Sequence, residues 1–442
     1  MSTAPREVFR PRATRGLQAV LWLLILAAGA EFVIRGPLRF LQQHTWNDLA
    51  QNYAATKIWL RGQNFAQPQN FVELWKEQAP GGFALDAKSG RTHLAPPPGT
   101  LVLMAPIGAL PWPIARVTWM VLLVSGFGCT VWALIKTIGF GRNEPRTLAF
   151  MASCLALAPF HTGIAAGNQT ILIVGFCALG ILAASGDRDV LAGLLFGVAC
   201  SLKPQLGSFV VLYYLVRRRW RLFFVALGFT IALMLVAAGW MQVCGISWTQ
   251  DYLHNVKVIA TQNRIDDFTS ANPIRFLLIN LQVPVYSFTH DAWTSNIVAL
   301  SAGALLTCTW IFLITRERAR SAELLALATI AVICLLPVYH RLYDAALLTI
   351  PLAWCISEMN GGLRHVAKLA LIPLVPFLIP GPALLQQLAS RGYIPDKLTH
   401  FWWWDDFVMP HQTWALLVLC SILLFGLYET SGYSNRGSVK KI

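Results

Sequence analysis

Charged residues are scarce in this sequence. They make up 13% of its 442 residues, while hydrophobic residues make up 56%. A soluble domain carries about a quarter of charged residues, so this composition excludes a string of soluble domains. The nine cysteines form no CxxC motif and have no Cys/His ligand spacing, and we interpret them as small core residues. A glycine-rich phosphate loop is also missing, so we expect no nucleotide site.

Long apolar runs, in contrast, recur along the chain. They give a mean hydropathy of +0.54 and predict an all-α polytopic membrane protein. The net charge of +14 comes from short basic clusters between these runs, as the positive-inside rule requires. A nucleic-acid-binding protein would instead collect its basic residues on one surface. We therefore expect the membrane as a partner, no nucleic acid, no cofactor and no confident metal site.

The apolar runs predict about 12 transmembrane helices. The first is Leu17 to Val33, although its Ala28-Gly29-Ala30 also fits a cleavable signal peptide. The others lie near 113–136, 147–163, 168–185, 189–203, 205–217, 222–243, 293–315, 321–338, 342–357, 366–384 and 412–429. The apolar piece 99–110 would be about 18 Å long as a helix, which is too short to span, so we expect it to be re-entrant or interfacial.

The basic clusters also predict the orientation. We expect residues 1–442 to form one membrane domain. With twelve crossings, both termini and every basic cluster lie in the cytoplasm, and three polar loops lie on the outer side. These loops are 38–112, which includes interfacial helices, 244–292 and 385–411. The short pair 189–203 and 205–217 predicts a turn at Lys203-Pro204 that is buried partway into the membrane.

Polar residues that the apolar composition does not explain collect near the outer helix ends. Asp48 begins an expected amphipathic helix containing Tyr53, where it is either a functional carboxylate or an N-cap. The amides of Asn168 and Gln169 either contact a substrate or satisfy free backbone groups at a membrane turn. Lys203 is costly in lipid, so it faces a cavity or an anion unless it snorkels to the interface.

Three further polar groups are expected on the same side. In the segment His340 to Asp344, an Arg341–Asp344 pair or a His340–Asp344 hydrogen bond is either functional or a clamp between helices. The pairs Asp266/Asp267 and Asp405/Asp406 are suited to a divalent metal or a sugar. The tryptophans 402–404 are more typical of the aromatic belt at the membrane interface.

The order of these elements resembles glycosyltransferase family 87, which comprises GT-C enzymes that use a polyprenyl-phosphate sugar. The likeness rests on four stretches, which are Asp48 to Phe65, Pro96 to Trp119, Gly167 to Trp220 and His340 to Asp344. The third stretch is the most specific, with Gly167-Asn168-Gln169, Gly186-Asp187-Arg188-Asp189, Lys203-Pro204-Gln205 and Arg217 to Trp220. The resemblance implies the GT-C fold and covers most of the chain to about residue 360.

The resemblance also implies an activity and a set of roles. The expected enzyme is an inverting hexosyltransferase that moves a mannose-like sugar from a polyprenyl monophosphate to a lipid or glycan acceptor, on the periplasmic face of a bacterial inner membrane. Asp48 would be the general base. The donor phosphate would be bound by Lys203, His340 and Arg341, and the substrates would contact Asn168, Gln169, Tyr53, Tyr343, Asp344 and His93.

Two other functions fit the same outer cations. A transporter or flippase of lipid-linked sugars would be expected to show two matching halves, and the sequence has no internal repeat. A ligase-like transferase with a diphosphate donor would be expected to use more than one arginine of the outer loops, and the second loop offers only Arg264 and Arg275 as obvious candidates.

Overall fold

The computed structural model describes residues 13–42, 47–78, 92–141, 144–259, 266–316 and 322–438. Arg6, Arg10 and Arg12 of the N-terminal cluster, Arg264, and the pair Arg318 and Arg320 lie outside these ranges. In the part of the chain that is described, the structure is helical and its only β-pairing is an isolated antiparallel bridge between Leu278 and Arg341. The all-helical expectation is therefore confirmed for these residues.

The helices are numbered in the order in which they occur along the chain. The first seven are α1 (Ala13–Val33), α2 (Arg39–Gln42), α3 (Asp48–Leu60), α4 (Pro68–Gln78), α5 (Pro98–Ala109), α6 (Trp112–Ile138) and α7 (Pro145–Ala156). The next seven are α8 (Ala158–Ala166), α9 (Thr170–Ser185), α10 (Asp189–Leu202), α11 (Pro204–Val216), α12 (Trp220–Val243), α13 (Thr249–Ile259) and α14 (Gln282–Thr289). The last seven are α15 (Ala292–Arg316), α16 (Glu323–Ile333), α17 (Thr349–Glu358), α18 (Arg364–Leu371), α19 (Gly381–Ser390), α20 (Asp396–Thr399) and α21 (His411–Ser438).

Five helical segments are long and apolar enough to cross a membrane. They contain α1, α6, α12, α15 and α21, and the count rises to seven if the bent pairs α7–α8 and α18–α19 each form one span. The pairs bend by 44° and 42°. Helices α5, α9, α10, α11 and α16 are apolar but shorter. The chain is thus a polytopic membrane protein, and the number of 12 crossings stays a prediction.

Prolines explain where the observed helices depart from the predicted ones. The predicted helix 321–338 ends at Ile333, four residues before Pro337, because a proline ring cannot continue the helical hydrogen bonds. The predicted helix 342–357 begins as a 3-10 turn over Leu342–Leu348 and becomes regular at Thr349. Helix 366–384 is interrupted by the 3-10 turn Ile372–Leu378, which contains two prolines.

Helix α3 forms where an amphipathic interfacial helix was expected, but protein covers its apolar side chains. Tyr53, Ile58 and Trp59 are buried. The Trp59 indole donates a hydrogen bond to the Ala237 carbonyl in α12 at 3.2 Å, and the Trp240 indole of α12 donates one to the Trp59 carbonyl at 2.8 Å. This reciprocal pair joins the start of the first loop to a long apolar helix, so α3 is a fixed part of the fold.

Helices α9, α10 and α11 form an antiparallel set that separates two kinds of polar residue. Asn168 and Lys203 lie at one end of the set. Arg219 lies at the other end, where it forms an ion pair with Asp189 and donates to the Ala184 carbonyl at 2.7 Å. The expected basic cluster is therefore on the opposite face of the fold from the expected site.

Candidate active site

A polar cavity of about 310 Å³ lies where α3, α5, α9 and α11 begin and α10 ends. Residues predicted from the sequence that line it are Asp48, His93, Asn168, Gln169, Lys203 and Tyr343. Four helix N-termini lie in this region, and the N-terminus of a helix carries a partial positive charge. The cavity is therefore suited to a ligand that has an anionic group.

Asp48 is the first residue of α3, yet the helix is capped by its neighbour. The Asn47 side chain accepts a hydrogen bond from the Ala50 backbone N–H at 3.0 Å, which is the usual N-cap interaction. The alternative role of Asp48 as the N-cap is thus filled by Asn47. Its carboxylate instead accepts a hydrogen bond from the Asn168 amide at 2.6 Å.

The turn between α8 and α9 orients Asn168. Gly167 has φ +67°, where a Cβ would lie 3.0 Å from the Phe40 ring, so this position requires glycine. The side-chain oxygen Oδ1 of Asn168 accepts from the Thr170 backbone N–H at 2.9 Å, and the side-chain nitrogen Nδ2 donates to Asp48. Asn168 therefore starts α9 and directs the Asp48 carboxylate at the same time.

The junction of α10 and α11 presents Lys203. Because Pro204 follows, Lys203 is extended with φ −152°, so α10 ends and α11 begins there. The Leu202 carbonyl accepts a hydrogen bond from the Gln169 amide at 2.7 Å, and Thr100 donates to the Ser201 carbonyl at 2.9 Å. The predicted buried turn at Lys203-Pro204 is thus present and is held by two side chains.

Lys203 has an anionic partner within the protein. Its ammonium forms an ion pair with Asp344 and lies 5.2 Å from the centre of the Tyr343 ring. The Thr170 hydroxyl bridges the pair, since it donates to Asp344 at 2.6 Å and lies 3.4 Å from the ammonium. Asp344 is thus an anion that Lys203 meets in the folded chain, and the expected contact with a donor phosphate stays a prediction.

His340 and Arg341 contact the Asp344 carboxylate of the Lys203–Asp344 ion pair. His340 Nδ1 lies 3.1 Å from Asp344, the Arg341 backbone N–H donates to the same carboxylate at 3.2 Å, and both His340 and Asp344 are fully buried. Among the described residues, His340, Arg341 and Asp344 are not part of the cavity lining. The predicted His340–Asp344 hydrogen bond forms within one segment, and Asp344 connects this segment to Lys203.

The other predicted substrate contacts divide into two groups. His93, Gln169 and Tyr343 line the cavity, whereas Tyr53 lies outside its described lining. The Tyr53 hydroxyl donates to the Leu110 carbonyl at 2.8 Å and accepts from Lys57 at 3.0 Å. Tyr53 therefore joins α3 to the end of α5, and its expected contact with a substrate is not supported by this position.

Sequence reasoning gave Asp266 too little weight. It lines the cavity from the predicted second outer loop, residues 244–292, together with Tyr339. Burial raises the pKa of Asp266 to about 6, partly offset by the charge of Arg341 and a hydrogen bond with Tyr339. The neighbouring Asp267 turns away and accepts from the Thr269 backbone N–H at 2.8 Å. Adjacent acids in a loop do not reveal which of them faces inward.

The remaining loop candidates lie elsewhere. Arg275 forms an ion pair with Asp405 at 2.9 Å, and Arg264 is outside the described residues. Trp404 is buried, whereas Trp402 is exposed as the belt interpretation expects. Within the described ranges, no group of three or more His, Cys, Asp or Glu side chains is arranged to hold a metal ion.

The fold and the cavity define a polytopic membrane protein with a polar site enclosed between helix ends. The family model of glycosyltransferase family 87 matches residues 96–337, and the chain belongs to this family. The match includes Asn168, Lys203 and Asp266, while Asp48 and His340 lie outside it. No curated protein sequence matches the chain. Family membership makes the protein a membrane glycosyltransferase, which acts on lipid or sugar substrates.

Proposed function

We propose that the protein is an inverting glycosyltransferase with Asp48 as its general base. An acceptor hydroxyl that attacks an anomeric carbon must lose its proton, and a carboxylate within about 3 Å can accept it. The observation that carries the proposal is the position of Asp48. It lines the cavity and accepts a hydrogen bond from Asn168, while Asn47 caps the helix in its place. This position supports a role for the Asp48 carboxylate other than capping the helix.

The donor phosphate leaves from the opposite side of the sugar and needs positive charge. We assign this role to the helix N-termini around the cavity and to Lys203, which lines it. An ammonium has three N–H donors, and the described contacts to Asp344 and Thr170 use two of them. His340 and Arg341 then act through Asp344, as positioning residues for Lys203.

The proposal also includes the kind of substrate and the side of the membrane on which the site lies. The family resemblance favours a mannose-like hexose, a polyprenyl-monophosphate donor and a lipid or glycan acceptor. The separation of Lys203 from Arg219 along α10 and α11 supports a site on the periplasmic side of a bacterial inner membrane, with both termini in the cytoplasm. At 14 residues, α10 is about 21 Å long, so Lys203 would lie within the thickness of the bilayer.

Reconstitution tests this proposal directly. The purified protein in liposomes is supplied with a panel of polyprenyl-monophosphate hexoses and candidate acceptors, and the lipid products are identified by mass spectrometry. Transfer with inversion supports the proposal. Turnover of polyprenyl-diphosphate sugars only would overturn the donor assignment in favour of a ligase-like reaction. Movement of labelled donor across the bilayer without any transfer would indicate a flippase and overturn the enzymatic role.

A further inference from the structure

The cavity contains a second carboxyl group that the proposed reaction does not use. Asp266 lines it from the second outer loop, whereas the proposed base, Asp48, lines it from α3 in the first. Arg341 is near enough to both carboxylates to interact with their charges. A single cavity therefore has two acids that come from distant parts of the chain.

The segment after Asp266 is firmly attached to the fold. The Asn272 amide donates to the Asp267 carbonyl at 2.6 Å, which closes a tight turn directly after Asp266. Further on, the Ile279 backbone N–H donates to the His340 carbonyl at 2.9 Å, next to the bridge between Leu278 and Arg341. The loop is thus joined to the segment that carries Tyr339, and both form one wall of the cavity.

The chemistry of Asp266 indicates the kind of group it binds. Burial raises its pKa to about 6, so its ionised form at pH 7 is less favourable than that of an exposed aspartate, and Tyr339 provides one hydrogen bond. A phosphate would be repelled by this carboxylate. A neutral ligand with hydroxyl groups would donate further hydrogen bonds to it and stabilise the ionised form. A sugar ring has this chemistry.

The position of Asp266 points to the sugar that is transferred. If Asp48 receives the acceptor proton and Lys203 contacts the phosphate, the reacting sugar must lie between them, inside the cavity that Asp266 borders. We propose, on the basis of the function inferred above, that Asp266 binds a ring hydroxyl of the transferred sugar and thereby determines which sugar is accepted. Asp266 is then a specificity residue and leaves the proton transfer to Asp48.

Donors that lack single hydroxyls test this role. The wild-type protein, Asp266→Asn and the control Asp405→Asn are compared in liposomes with a series of donors, each missing one ring hydroxyl. Asp405 undergoes the same chemical change, but it lies outside the described cavity lining and pairs with Arg275. For the hydroxyl that Asp266 binds, removal should lower kcat/KM about tenfold to a hundredfold in the wild type and the control, as expected for a hydrogen bond to a charged group.

In Asp266→Asn, the loss for that one donor should shrink to about threefold or less, while every other deoxy donor should lose the same factor as in the wild type. Equal losses in both proteins for all donors would overturn the role of Asp266. If Asp266→Asn is inactive, the same comparison is made by measuring donor binding to the purified protein, with Asp266→Ala as a second variant. A wild-type protein that transfers no sugar at all would instead overturn the proposed function.

Discussion

Replacing Asp48 by Asn tests whether this residue, at the start of α3, serves catalysis rather than folding. The change removes the basicity of the side chain but keeps its shape and an oxygen that can accept the hydrogen bond from Asn168. The cap interaction is made by Asn47 and is untouched. We therefore expect Asp48→Asn to fold normally and to lose the contribution of the general base, which is about 10²-fold to 10⁴-fold in rate.

That loss corresponds to about 3 to 5 kcal/mol of activation free energy. By comparison, the exchange of a charged for a neutral hydrogen bond to Asn168 should change stability by only about 1 kcal/mol. The matched control is Asn47→Ala, which removes the cap and should cost about 1 kcal/mol of stability. Its turnover per folded molecule should stay close to that of the wild type.

The assay combines single-turnover transfer in liposomes with thermal unfolding of the same preparations. The reasoning predicts opposite results for two adjacent residues, with slow transfer in Asp48→Asn and a lower unfolding temperature in Asn47→Ala. An Asp48→Asn protein that turns over within about twofold of wild type, a difference of only ~0.4 kcal/mol, would refute the base assignment.

Three further predictions concern the stability of residues in and around the cavity. Lys203→Met should destabilise the protein by about 3 to 5 kcal/mol because it leaves Asp344 buried without its cation, and adding Asp344→Asn should restore most of the stability measured by thermal unfolding. Full stability of Lys203→Met alone would contradict the ion pair. Gly167→Ala should lower the unfolding temperature by the equivalent of about 1 to 2 kcal/mol, since φ is +67° and a Cβ would approach Phe40; an unchanged midpoint would count against this conformation. Asp266→Asn should be more stable than wild type by up to about 3 kcal/mol at pH 7. Because the folded-state pKa of about 6 exceeds the unfolded value near 4, wild-type stability falls as pH rises between these values and then levels off, so the difference should vanish below about pH 4. A gain that is independent of pH would mean that Asp266 is not buried in this way.

Some features of the site follow from local sequence and were predictable. A proline fixes the residue before it in an extended conformation, so the break at Lys203 was expected, and helices 189–202 and 204–216 confirm it. The apolar piece 99–110 was predicted from its length to be too short to span, and the structure has a helix of 12 residues there, Pro98–Ala109. Such features depend only on neighbours along the chain.

Other features depend on residues that are far apart in the sequence. Lys203 and Asp344 are 141 positions apart, and nothing local shows that a buried lysine will meet that particular acid. Asn47 and Asp48 are both good capping residues, and only their positions in the folded chain show which one caps α3. The same limit applies to Asp266 and Asp267, since one faces the cavity and the other closes a turn.

The sequence by itself determined that this protein is helical, that it resides in a membrane and that its candidate site residues lie near one set of helix ends. Apolar runs and basic clusters allow these predictions because they respond to water and the bilayer rather than to particular partners in the fold. The tertiary structure alone decided that Asn47 rather than Asp48 caps α3, that Lys203 pairs with Asp344 and that Asp266 lines the cavity. The reason is physical, since burial makes a charge depend on the groups that surround it in space.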